Sequence, residues 1–187
     1  MLEILLLALI WIINFAISGY NAVSVGVAWK NKEYISGWMN LVLWSAVVMS
    51  AAGFTWCYTI FIALIAGSLG YLTPEQVTGA LYLGYIIVIF PILTSGLVIW
   101  VHSLIEAYKR RDALSIGVAG WNTFANVWNW YHAFRDIPKV LSGIGELFKG
   151  GGNSKDKGAM IMVVLVIVAA LMGVITTYSL VKYGENL

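Results

Sequence analysis

The chain has 187 residues, of which 60% are hydrophobic and 11% charged, with a mean hydropathy of +0.84 and a net charge of +2. Soluble globular domains carry about a quarter charged residues, so that class is excluded, and so small a net charge leaves no footprint for nucleic acid. The lone cysteine, Cys57, excludes an internal disulfide and sits in an apolar run as a small hydrophobe.

The charges then divide the chain into one all-α, polytopic membrane domain over residues 1–187. No ionisable residue lies between Glu3 and Lys30, which predicts a first helix over about 4–29. It is expected to be a retained helix and not a signal peptide, because a positive leader is missing and the uncharged run is too long for one. Along it Asn14, Ser18 and Asn21 recur at i, i+4 and i+7. An amide facing lipid is costly, so this line should face protein or water, as an interhelical polar contact or as the lining of an aqueous path. The overlapping stripe Ser18, Ala22 and Gly26 permits close helix contact.

The next uncharged run covers 41 residues, Tyr34 to Pro74, about 60 Å as one helix at 1.5 Å per residue. Two short spans joined by a turn would fit by length. The stretch has no Pro, Asn or Asp in its middle, however, and Gly53 alone is tolerated within a membrane helix. One unusually long helix over about 37–70 is therefore predicted. "GYLTPEQ" ends it, with Thr73 as N-cap and Pro74 in the first turn of a third helix over about 74–108. There Pro91 should kink the helix or open it locally, with Thr94 and Ser95 able to satisfy the freed backbone. Broken helices near the bilayer midplane bind ions or substrates in some transporters, although no inverted repeat accompanies this one.

Between the third and last helices lies "AGWNTFANVWNWYHAFRD", Ala119 to Asp136, with three tryptophans and three asparagines. Trp121, Phe124, Trp128, Tyr131 and Arg135 share one helical face, and Asn122, Asn126, Asn129 and His132 crowd another. Aromatic rings with polar edges rest well at headgroup depth. The expectation is a cytoplasmic interfacial pair of amphipathic helices over about 113–149, bent at Asp136 and Pro138, with a re-entrant segment as the second reading. "GGGNSKDKG" should follow as a flexible linker over 150–157. "KRR" at Lys109–Arg111 marks a helix end at anionic headgroups. The last helix, about 157–182, carries Ala169, Gly173 and Thr177 four apart, a small-residue pattern that lets two backbones approach.

Four crossings place ten Lys and Arg residues on one side and one, Lys182, on the other. The positive-inside rule then puts both termini on the non-cytoplasmic side of a plasma or inner membrane. No intramembrane carboxylate or lysine is expected, which argues against a proton-driven pump. His102 and His132 stand 30 residues apart, and a His102–Glu106 pair reads as a polar contact at a helix end rather than a catalytic dyad. There is no metal-ligand cluster, nucleophile motif or phosphate loop, so neither an enzyme, a metal nor a cofactor is expected.

Two functions follow from these residues. The first is a non-catalytic assembly or accessory subunit of a membrane complex, docking on other membrane subunits or on copies of itself. The second is a channel or small transporter, including a membrane-permeabilising pore, lined by Asn14, Ser18, Asn21, Pro91, Thr94 and Ser95.

Overall fold

The computed structural model describes the backbone of residues 2–33, 36–148 and 153–187, and the side chains of 8–33, 36–145 and 158–187. Among the described residues the chain is all helical: α1 (Leu2–Lys30), α2 (Gly37–Ser68), α3 (Pro74–Arg110), α4 (Ala113–Phe148) and α5 (Asn153–Asn186). Four of these are long and apolar enough to cross a membrane, over Ala8–Lys30, Gly37–Ser68, Pro74–Arg110 and Gly158–Asn186.

The caps match the sequence. Ser36 accepts from the Met39 N–H at the start of α2. At the start of α3, Thr73 Oγ1 accepts from the Gln76 N–H while Gln76 Oε1 accepts from the Thr73 N–H, a reciprocal capping box with Pro74 in the first turn. The long second run is indeed one helix, α2.

α2 and α5 form the middle of the bundle. Ala22, Val25, Leu43 and Val181 close one core where α1, α2 and α5 meet, and Ala63, Ala66, Ala80, Met162 and Val166 close another between α2, α3 and α5. Small residues set the spacing. A Cβ on Gly26 of α1 would lie 2.8 Å from the Gly184 Cα of α5, and one on Gly173 would lie 2.8 Å from the Thr55 N of α2. The Ala169, Gly173 and Thr177 stripe is buried, and it approaches α2 of the same chain at Gly173. Lipid tails are as apolar as Leu, so close backbone packing replaces the hydrophobic drive between such helices.

α4 departs from the sequence reading. The expected interfacial helix pair between the third and last helices is instead a single helix of 36 residues, continuous through Asp136 and Pro138. The cause is the connection before it. Arg111 adopts a left-handed backbone (φ 54°) that ends α3, and Asp112 at once caps α4, its carboxylate accepting the Ser115 N–H at 2.8 Å and the Ser115 hydroxyl at 2.9 Å. Two residues of turn leave α4 no course but back along α3. It follows α3 through Trp100 and Thr123, Gly96 and Asn126, then Tyr82 and Gly143. The serine bonds hold the Asp112 carboxyl below the usual carboxylate range. The cap's contribution is therefore full above that range and is lost only as pH falls through the lowered value.

α5 consequently starts at the Pro74 end of α3, with Gly158 against Gln76, and runs parallel to both α3 and α1. The two ends of the described chain lie at opposite ends of the bundle, Glu185 beside Lys30 at one of them. The expected linker is shortened, because residues 153–157 already belong to α5; residues 150–152 lie outside the described ones.

Candidate functional site

The face that α4 turns toward α3 is written in a four-three spacing: Ala119, Thr123, Asn126, Trp130, Ala133, Ile137 and Val140. Ala119, Ala133 and Val140 are buried, and Ala133 packs with Ile89 and Leu93, flanked by Tyr85, Trp130 and Ile137. Two polar bonds fix the register. Trp100 Nε1 donates to Thr123 Oγ1 at 2.8 Å, and Asn126 Nδ2 donates to the Gly96 carbonyl at 3.0 Å. Asn126→Ala is expected to lower stability by about 1 kcal/mol through loss of that bond, read as a lower unfolding midpoint in detergent.

The opposite face is open. Trp121, Phe124, Trp128 and Tyr131 are 63%, 57%, 54% and 59% exposed. Their rings form a ladder, Trp121 to Phe124 and Phe124 to Trp128 at 5.9 Å each, then Trp128 to His132 at 4.4 Å. At its end stands a charged cluster. Arg135 donates from Nε to Asp136 Oδ1 at 2.7 Å and from Nη2 to Asp136 Oδ2 at 3.0 Å, and Nη2 also reaches His132 Nδ1 at 2.9 Å. His132 Nδ1 also lies 3.3 Å from Asp136 Oδ2; a guanidinium can only donate and a carboxylate can only accept, so the two contacts compete for Nδ1. Arg135 also lies over the Tyr131 ring, 5.7 Å from its centroid.

This cluster sits opposite the stretch of α3 from Tyr85 to Pro91, between the Gly96–Asn126 and Tyr82–Gly143 contacts. The Asp136 carboxylate is thus level with the middle of α3. On its flank a groove of about 230 Å³ is lined by Trp56, Leu81, Tyr82, Tyr85, Asp136 and Val140. Tyr85 Oη, Trp130 Nε1 and His132 Nε2 are buried without a hydrogen-bond partner among the described residues.

The other sequence candidates are dispersed. Asn14 is exposed, its amide donating to the Ile10 carbonyl of its own helix at 3.0 Å. Ser18 is buried against Gly53 of α2, and its carbonyl accepts from Ser50. Asn21 is half-buried. In α3, Pro91 is half-buried, Thr94 is exposed and donates to the Phe90 carbonyl at 2.9 Å, and Ser95 is buried. Among the described residues α1 and α3 do not touch, so the two groups are separated by α2 and α5. The two histidines are equally distant: His102 Nδ1 accepts from Trp38 Nε1 at 3.3 Å, and Glu106 pairs with Arg110 at 2.8 Å.

Sequence reasoning missed the Arg135–Asp136–His132 cluster as a mid-bundle site. The four-three spacing from Ala119 to Val140 was the signal that could have found it, because a seam of that length needs a partner helix of equal length. No protein-family model, no curated protein and no solved structure matches the chain.

Proposed function

We propose that the chain is a non-catalytic assembly subunit of a multi-pass membrane complex, with α4 crossing beside α3 as a fifth segment and serving as the docking helix. One observation carries this reading: Arg135 is 48% exposed in its side chain and Asp136 28%, on an outward aromatic face level with the middle of α3. An arginine or aspartate at the centre of a lipid-exposed helix costs about 2.5–3.5 kcal/mol. Protein on that face removes the cost.

Five crossings also change the charge count. Lys30, Lys32, Lys109, Arg110, Arg111 and Lys182 gather at one end, and Lys155 and Lys157 at the other. The positive-inside rule assigns the first end to the cytoplasm of a plasma or inner membrane, with the C terminus there and the N terminus outside. The pore reading gains nothing from the fold, since its candidate lining on α1 and α3 is split by two helices.

Native mass spectrometry of protein purified gently in lipid, followed by ion flux on the same sample in liposomes, tests the proposal. The expected result is a mass above one chain and no flux. A monomer, or flux abolished by Asn14→Leu with Asn21→Leu, would overturn it.

A further inference from the structure

The outward polar groups on the two edges of the bundle stand at one level. Asn14 of α1 lies between Trp11, whose Nε1 donates to the Cys57 carbonyl at 2.9 Å, and Phe15, which meets Phe54 at 4.8 Å. The neighbouring Trp56 meets Tyr85 of α3 at 6.2 Å, and Tyr85 shares its groove with Asp136 of α4. Asn14, Trp56, Tyr85 and the Arg135–Asp136 pair thus form one layer across the bundle.

The two ends of that layer are complementary. Among the described residues α1 touches only α2 and α5, and α4 touches α3 and, slightly, α5, so they are opposite edges. On α4, Arg135 commits Nε and Nη2 to Asp136 and His132, while Nη1 has no acceptor among the described residues. On α1, Asn14 commits Nδ2 to its own helix, and its Oδ1 has no donor among the described residues. Around Asn14 the surface is aliphatic, with Ile10, Ile13 and Ile17 exposed, against the aromatic ladder of α4. Because α1 runs parallel to α3 and α4 runs against it, the two edges are antiparallel in copies that share one membrane orientation.

We propose that copies of this chain associate edge to edge, α4 of one against α1 of the next, with the Arg135 guanidinium donating to the Asn14 carbonyl oxygen across the contact. This rests on the assembly reading and names its partner as a second copy. The interface is heterologous, so it propagates into a ring or a row instead of stopping at a dimer.

Ile17 and Tyr131 lie about one turn from Asn14 and Arg135 toward the same end of the bundle, and both are exposed. In a Cys57→Ala background, Ile17→Cys and Tyr131→Cys are expressed separately, together, and in one chain, and the membranes are oxidised. The expected result is a cross-linked dimer only when both single variants are present, and a ladder from the double variant. Cross-links within either single variant alone, or none in the mixture, would overturn the contact.

Asn14→Leu provides a second reading independent of the cysteines, since the side chain bonds only its own helix. The oligomer mass should fall by at least half, and an unchanged mass would overturn the proposal. A wild-type monomer without companions removes the assembly reading as well. Same-edge cross-links or foreign subunits at that edge remove only the edge-to-edge contact.

Discussion

Gly26→Leu is expected to separate α1 from α5 and lower stability by about 3 kcal/mol, the upper part of the range for overpacked cores. A side chain there would run into the Val181 carbonyl and the Gly184 Cα. These are backbone atoms of a packed helix, so no rotamer change relieves the clash. Gly120→Leu is the matched control, because a Cβ at that outward position of α4 meets nothing within 4 Å. Unfolding midpoints in detergent should fall sharply for the first and stay near wild type for the second. An unchanged midpoint for Gly26→Leu would mean that the α1–α5 contact is looser than the structure has it.

Asp136→Ala should be more damaging than the double change Arg135→Met with Asp136→Leu. The single change strips the guanidinium of its two closest acceptor oxygens, at 2.7 and 3.0 Å, and leaves it only the His132 Nδ1 contact at 2.9 Å, on a face that the proposed assembly withdraws from water. Removing both partners leaves an apolar face. Breaking one half of a desolvated ion pair is costly, whereas replacing both halves with apolar groups is often neutral. The yield of monodisperse protein from membranes measures the order: wild type and double variant high, single variant low. Equal yields for the single and double variants would place the pair in free contact with water.

The sequence made much of the fold legible. Uncharged runs located α1, α2, α3 and α5, because the hydrocarbon core tolerates few charges and the helix ends therefore collect them. "TPEQ" located the start of α3 through an ordinary capping box, and the missing turn residues showed α2 to be one helix. Ala169, Gly173 and Thr177 were legible as a packing stripe, though spacing alone could not say that Gly173 meets Thr55 of the same chain rather than another copy.

α4 was misread because two equally regular stripes share it. The one drawn by Trp121, Phe124, Trp128 and Tyr131 suggested an interface, and the quieter one from Ala119 to Val140 faced α3. Its asparagines and its Arg135–Asp136 pair held hydropathy below that of a spanning helix, and counting positive charges then reinforced the surface reading. What lays α4 along α3 is the two-residue reversal at Arg111 and Asp112. A left-handed residue there carries no sequence marker, since arginine rather than glycine occupies it. The line Asn14, Ser18 and Asn21 is unevenly buried for a related reason: periodicity groups residues on one side of a helix but does not say how far that side is turned inward. Only Ser18 of the three is buried, and Asn14 is exposed.

That α4 crosses beside α3 is tested most directly by the sidedness of thiol labelling. In a Cys57→Ala background, single cysteines at Asn31, Tyr71, Lys109 and Gly145 are reacted with an impermeant maleimide on sealed vesicles, before and after permeabilisation. Gly145 accepts the change, since a Cβ there meets nothing within 4 Å. Crossing requires that Gly145→Cys label from the same face as Tyr71→Cys and opposite to Asn31→Cys and Lys109→Cys. Labelling of Gly145→Cys from the Lys109 face would return α4 to the membrane surface and contradict the five-segment bundle.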